Sequence, residues 1–209
     1  MSRRAIGVGL WWFAALATLL AMNAWVGGSE SGVPAFDREG LILANSWRGR
    51  WLDAGFLGLT RLGSLILLLP SVILAAVLLW RRGFRDDARF LIAALAGASL
   101  LAQIAKHLAL RPRPELFAAL TPVASPLSFP SAHAAQATAV VVALLLVLVP
   151  RIPRHRWWWA PGLVSMAVLV GGSRVYLQVH FPSDVLAGTI ATVFWVLGLR
   201  ALMPWRFNA

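Results

Sequence analysis

Three short stretches of this chain hold side chains that its apolar surroundings otherwise avoid. Residues 106–114 read KHLALRPRP, residues 129–133 read FPSAH, and residues 173–184 read SRVYLQVHFPSD. Lys106, Arg113 and Arg174 lack an adequate set of acidic partners, so the partner they call for is an anion. Planar Arg forks suit phosphate oxygens. Pro130-Ser131 opens a helix whose first backbone N–H groups are unpaired, and such a helix start binds phosphate through those groups and its dipole. Ala132 belongs to that start. His133 and His180 then flank the anion, and imidazole serves as nucleophile or proton donor near neutral pH.

The segment HFPSD sharpens the geometry. Pro182 fits the first turn of a helix with Phe181 extended before it, so His180 sits just ahead of the helix and Asp184 falls in its first turn. A loop folding back there brings Asp184 onto one imidazole nitrogen and leaves the other free, a nucleophile and its orienter. Two His and an Asp can also bind metal. Three nearby cations would repel a divalent ion, and no second acidic ligand lies close, so a metal-free site is favoured.

Each cluster alone has a plainer explanation. The cations can snorkel to lipid headgroups, Ser131 can be a helix cap with His133 merely polar in the first turn, and Arg174 with Asp184 can be a structural ion pair. Ionisable groups in membrane segments are nonetheless rare and tend to be functional. Three clusters on one face make the joint plain explanation much weaker.

The elements that must position these groups are apolar. The chain has 209 residues, 59% hydrophobic and 13% charged, with mean hydropathy +0.74. Soluble domains run at about 45–50% apolar and about 25% charged. Crossing about 30 Å of hydrocarbon takes about 20 apolar residues. Six segments qualify: 6–26, 56–79, 90–108, 132–149, 158–177 and 185–203. The first has too long an apolar run for a signal peptide and reads as a membrane anchor. One unit over 1–209 is expected, an all-α integral membrane bundle of six transmembrane helices with its active site at one membrane face.

The net charge is +11, with 19 Lys+Arg against 8 Asp+Glu, and there is no Cys. The basic residues are scattered between apolar runs, which makes nucleic acid the weakest partner and leaves membrane surface or anionic substrate. Eleven Trp fit the water–lipid interface. One set of loops holds Arg3, Arg4, Arg81, Arg82, Arg85, Arg89, Arg151, Arg154, Arg156 and Arg206 and reads as cytoplasmic. An even span count puts both termini there, and a parity count puts all three polar clusters on the opposite face. Within 27–55, Leu41, Ile42, Asn45, Trp47 and Arg48 fit a short interfacial helix or an ordinary loop.

With these residues assembled, the chain resembles the lipid-phosphatase branch of the type-2 phosphatidic acid phosphatase superfamily, whose signature is K-x6-RP, then PSGH, then SR-x5-H-x3-D. Lys106 with Arg113-Pro114, then Pro130-Ser131 with His133, then Ser173-Arg174 with His180 and Asp184 match it in order and spacing. Ala132 stands where the family usually has Gly, which implies tuning of the phosphate approach. The resemblance implies that His180 attacks phosphorus and forms a phosphohistidine, with Asp184 orienting it. His133 would protonate the leaving oxygen, and Lys106, Arg113, Arg174 and Ser131 would hold the phosphoryl oxygens. It implies no metal and no organic cofactor.

The implied partner is a membrane lipid phosphate within the bilayer, undecaprenyl diphosphate first. Phosphatidylglycerol phosphate, phosphatidic acid and lipid A phosphates are the alternatives, and the oligomeric state is left open. The implied setting is a bacterial inner membrane with the site facing the periplasm or exterior. Arg111 is a candidate for a second phosphate, and Arg48, Arg50 and Arg61 for that role or for headgroup anchoring. A phosphotransferase or a non-enzymatic lipid-phosphate binder would share much of the pattern. The vanadate haloperoxidases that carry the signature are soluble and longer, and are set aside.

Overall fold

The structure, a computed structural model, describes residues 3–27 and 33–203; residues 28–32 of the first inter-span loop, and Arg206 among the basic loop residues, lie outside the described residues. Among the described residues eight α-helices make up the fold: α1 Arg3–Gly27, α2 Ala35–Ser46, α3 Arg50–Thr60, α4 Leu65–Arg81, α5 Arg85–Ala109, α6 Ala132–Leu148, α7 Ala160–Tyr176 and α8 Pro182–Leu202. Among the described residues there is no β-strand, only one isolated bridge between Pro112 and Leu127.

Four helical stretches are long and apolar enough to cross a bilayer: Arg4–Gly27, Arg85–Ala109, Ala132–Arg151 and Pro182–Leu202. The expected span over 56–79 is a bent pair instead, Arg50–Gly63 and Leu65–Arg81 at 44°, and counting it gives five. Ser64 at the break is extended, with ψ 146°. Gly63 beside it is buried, and a Cβ there would collide with Val170 and press on His133. α7 has 17 residues, about 26 Å at about 1.5 Å per residue, which is short of the full apolar thickness. The protein is thus an all-helical membrane protein with four to five full-length span candidates.

The core forms where α5, α6 and α8 pack together. Ala134, Ala135, Ala137, Ala139 and Ala143 are all buried on α6, and small side chains let helix backbones approach closely in lipid. Phe90, Leu91, Leu101 and Leu199 fill the space between them. α1 lies against α8 through Trp11, whose Nε1 donates to Phe194 O at 2.8 Å while its ring stacks on Phe194. Leu65, Ile66, Leu74, Val168 and Ile190 point outward as exposed apolar groups, as expected for side chains meeting lipid tails.

The two ends of the bundle differ in chemistry. At one end Asp87, at the start of α5, is paired with Arg200 at 3.1 Å and with Arg151, joining the ends of three helices. The other end holds the end of α5, the start of α6, the end of α7 and the start of α8. That second end carries all three polar clusters.

Candidate active site

Each cluster is placed by how a helix stops or starts. α5 ends at Leu110, which adopts a left-handed conformation (φ 51°) and donates its N–H to Lys106 O at 3.2 Å. This cap turns residues 111–114 back across the bundle end. The segment then runs beside 125–128, where Ser128 donates its N–H to Arg111 O and its hydroxyl to Pro112 O, both at 2.8 Å. Lys106 sits beneath that layer. Its Nζ donates to the carbonyls of Leu127 (2.8 Å), Ser128 (3.3 Å) and Pro130 (3.3 Å).

Ser131 occupies the cap position of α6, yet its side chain caps nothing: its Oγ is buried and has no hydrogen-bond partner. The simple capping account of this residue therefore does not hold. Its backbone N–H donates to Asp184 O at 3.1 Å, fastening the start of α6 to the start of α8. Ala132 and His133 follow in the first turn, both half-buried. His133 lies within electrostatic reach of Arg174, His180, Arg113 and Lys106.

Arg174, near the end of α7, is almost fully buried. Its Nη1 donates to Thr60 Oγ1 at 2.6 Å, and its Nε has no partner. Arg113 donates Nε to Ser125 O at 2.7 Å and Nη1 to Val179 O. Burial lowers its pKa from the ordinary value, and the Asp184 charge opposes that. Among the described residues neither these two arginines nor Lys106 makes an ion pair with a carboxylate. Cations without a directly paired carboxylate, with an unpaired hydroxyl and an unpaired guanidinium N–H at the same bundle end, are the groups that a tetrahedral oxyanion would satisfy.

His180 precedes α8 in the loop that Pro182 terminates. Phe181 is extended (ψ 152°), and its N–H donates to Asp184 Oδ2 at 2.9 Å. The same oxygen lies 3.4 Å from His180 Nδ1, while His180 Nε2 lies 3.3 Å from Arg113 Nη1. These partners assign the proton to Nδ1 and the lone pair to Nε2. Burial drives the His180 pKa down to about 4. The Asp184 hydrogen bond and charge oppose that shift, and Arg174 and Arg113 add to it. The imidazole is therefore neutral at pH 7, with Nε2 facing the cations that would gather an anion.

Arg111 corrects an expectation. It was a candidate for a second phosphate, but its fork is filled by two carboxylates: Nη1 reaches Asp184 Oδ1 at 2.6 Å and Nη2 reaches Asp37 Oδ2 at 2.7 Å. A guanidinium so paired has little charge left to offer an anion. Arg48, partly exposed, donates to Ala118 O at 3.3 Å and lies 3.9 Å from Asp53. Arg50 lies over the exposed Trp51 ring, an arrangement suited to headgroup level.

Three participants were invisible in the motifs. Thr60 on α3 accepts from Arg174, Asp37 on α2 accepts from Arg111, and Ser183 bridges the latter pair. A charge count offers a partial signal for Asp37, because only eight acids serve nineteen bases and any acid near a cluster is a candidate counter-ion. Thr60 has no such signal. Among the described residues no group of three His, Cys, Asp or Glu side chains is arranged to hold a metal ion.

This arrangement can be set beside known proteins. Residues 87–208 match the PAP2 superfamily. Phosphatidylglycerophosphatase B of Bacillus subtilis is 32% identical over 84% of this chain and 83% of its own length. Undecaprenyl-diphosphatase of Sulfolobus acidocaldarius is 29% identical over 90% and 85%. The crystal structure of the PAP2-type phosphatidylglycerolphosphate phosphatase from Bacillus subtilis superposes with a TM-score of 0.77 at 28% identity, covering 91% of this chain and 94% of that one. Aquifex aeolicus LpxE gives a TM-score of 0.63 at 27% identity, covering 80% and 96%. The family match over residues 87–208, shared sequence over most of the chain and shared architecture lead to one conclusion: the chain belongs to the PAP2 superfamily.

Proposed function

We propose that this membrane phosphatase removes a phosphoryl group from the headgroup of a membrane lipid through a phosphohistidine intermediate, with undecaprenyl diphosphate as the leading substrate. The observation that supports the reading is His180 Nε2 lying 3.3 Å from Arg113 Nη1 and within electrostatic reach of Arg174, whose Nε, like the nearby helix-start Ser131 Oγ, is buried and unpaired. Lys106, Arg113, Arg174, Ser131 and the helix start at Ala132 hold the phosphoryl oxygens and offset the charge of transfer. His180 Nε2 attacks phosphorus as the bond to the leaving oxygen breaks, and His133 gives that oxygen its proton. Water, relieved of a proton by His133, then attacks the phosphohistidine, releases phosphate and restores His180. Asp184 holds the Nδ1 proton throughout.

For a diphosphate the leaving group is the lipid monophosphate. The relatives' names support both diphosphate and phosphatidylglycerophosphate substrates. Isoprenoid diphosphate leads here because the site end lies opposite the Arg-rich loops, on the face where that carrier is released after use. The same asymmetry supports a six-span arrangement with the shorter α7 as the fifth span, cytoplasmic termini, and a site facing the periplasm of a bacterial inner membrane. The test offers purified protein in detergent a panel of lipid phosphates with chelator present, comparing wild type with His180→Ala. Phosphate release that persists with chelator, vanishes in the variant and ranks isoprenoid diphosphate first is expected. Loss on chelation, or a fully active His180→Ala protein, overturns the mechanism, and a different ranking reassigns the substrate.

A further inference from the structure

The match to the family begins at residue 87, yet the loop carrying His180 is gripped from well before that point. α2 touches it three times. Leu41 O accepts from the buried Gln178 Nε2 at 3.1 Å. Gly40 lies so close to Pro182 that a Cβ would fall 2.5 Å from its Cγ. Asp37, with no exposed surface, accepts the Ser183 N–H on Oδ1 at 2.8 Å and the Ser183 hydroxyl on Oδ2 at 2.6 Å.

Arg111 makes this grip more than packing. Its fork is divided between two acids, with Nη1 on Asp184 Oδ1 and Nη2 on Asp37 Oδ2. Nη1 also donates to Ser183 Oγ at 2.7 Å, and the guanidinium lies over the Phe181 ring at 4.1 Å. A guanidinium facing one carboxylate prefers to take both its oxygens. Here Asp37 claims one arm of the fork, so Asp184 is met by a single arm and keeps Oδ2 for His180 Nδ1 and Phe181 N–H.

We infer that Asp37 is a positioning residue for the reaction, acting through Arg111 to fix which oxygen of Asp184 faces His180. His180, Asp184, Arg111 and Asp37 form one chain of four charged or polar groups, and α2 belongs to the catalytic apparatus although it carries none of the three motifs. Without the Asp37 charge the Arg111 fork closes on both oxygens of Asp184 and draws the carboxylate away from the imidazole.

This inference rests on the reading of His180 as nucleophile, and its test separates the two. Full-length protein in detergent is assayed for phosphate release from farnesyl diphosphate as wild type, His180→Ala, Asp37→Asn, Asp184→Asn and the Asp37→Asn/Asp184→Asn double variant. Asp37→Asn is expected to lower kcat about tenfold with KM within about twofold, the signature of an interaction made in the transition state. In the Asp184→Asn background the same change is expected to cost less than about twofold, because coupled positions are not additive. Activity surviving in His180→Ala removes the nucleophile reading. Loss in His180→Ala together with wild-type kcat in Asp37→Asn, or full additivity with Asp184→Asn, removes the positioning role alone. Should Asp37→Asn not elute as a single species, the Arg111→Lys protein, which keeps the charge but cannot divide a fork between Asp37 and Asp184, replaces it. A low kcat there supports the chain, and a wild-type kcat overturns it.

Discussion

The backbone N–H of Ser131 donates to the backbone carbonyl of Asp184 at 3.1 Å. Two helix starts, that of α6 beside His133 and that of α8 carrying the acid beside the His180 imidazole, are thereby joined through main chain alone. Gly188, one turn further along α8, allows the approach, since a Cβ there would sit 3.0 Å from Ser131 O. This seam sets the spacing between the start of α6 and the loop that carries His180, and Ser131→Ala or Asp184→Asn leaves it in place.

Ser131→Ala separates stability from activity. The Ser131 hydroxyl is buried and unpaired, and an unsatisfied buried polar group costs about 1–3 kcal/mol. Its removal should leave the melting midpoint unchanged or higher. Phosphate release should fall on the order of 100-fold, as for loss of one transition-state donor. Thermal unfolding in detergent and steady-state kinetics on the same preparation check both halves.

Arg174 is expected to tolerate no lysine. Its guanidinium spans from Thr60 Oγ1 to the unpaired Nε, a reach and planarity that an ammonium lacks. Arg174→Lys should reduce kcat/KM on the order of 100-fold. Thr60→Val, which removes only the acceptor behind the guanidinium, should cost about tenfold or less.

The acid limb of the pH profile should lie low. The reacting form of His180 is neutral, and its pKa is depressed to about 4, mainly by burial. Activity should hold as pH falls past about 6.5, where an ordinary histidine protonates, and decline only as pH passes down through about 4. The stability consequence has the matching sign. The unfolded chain takes up the proton near the ordinary value and the folded one does not, so stability is full above about 6.5 and drains between about 6.5 and 4. His180→Gln should flatten that slope, as read from unfolding midpoints across the range.

Far from the site, Gly97→Ala tests the helix packing. A Cβ there would overlap the Trp195 indole, whose Nε1 donates to Ala94 O at 3.2 Å. Overpacking of this kind costs about 1–3 kcal/mol, which at this size lowers the midpoint by roughly 2–12 °C. The folded fraction should keep its wild-type kcat.

Much of the site was legible because motif chemistry is local. Pro182 after an extended Phe181 starts a helix whatever surrounds it, so Asp184 in the first turn followed from four consecutive residues. A parity count over six expected spans put Lys106, Ser131 and Arg174 at one end, and the end of α5, the start of α6 and the end of α7 do meet there. What escaped was long-range pairing. Arg111 resembles Arg113 in sequence, and the docking of α2, with Asp37 seventy-four residues before Arg111, gives one a pair of carboxylates while the other meets backbone carbonyls and His180. The break at Ser64 escaped for a related reason. Hydropathy runs smoothly through 56–79, while the bend answers to Gly63 nestling against Val170 and His133.

Thr60, standing behind Arg174, carries one more consequence. Every signature residue lies after position 87, so a shortened protein beginning there would keep the full set of motifs. It would still lose the hydroxyl that backs one arginine and the carboxylate that divides another. The signature and the side chains that support it have different borders in this chain, and the wider border is the one an expression fragment must respect.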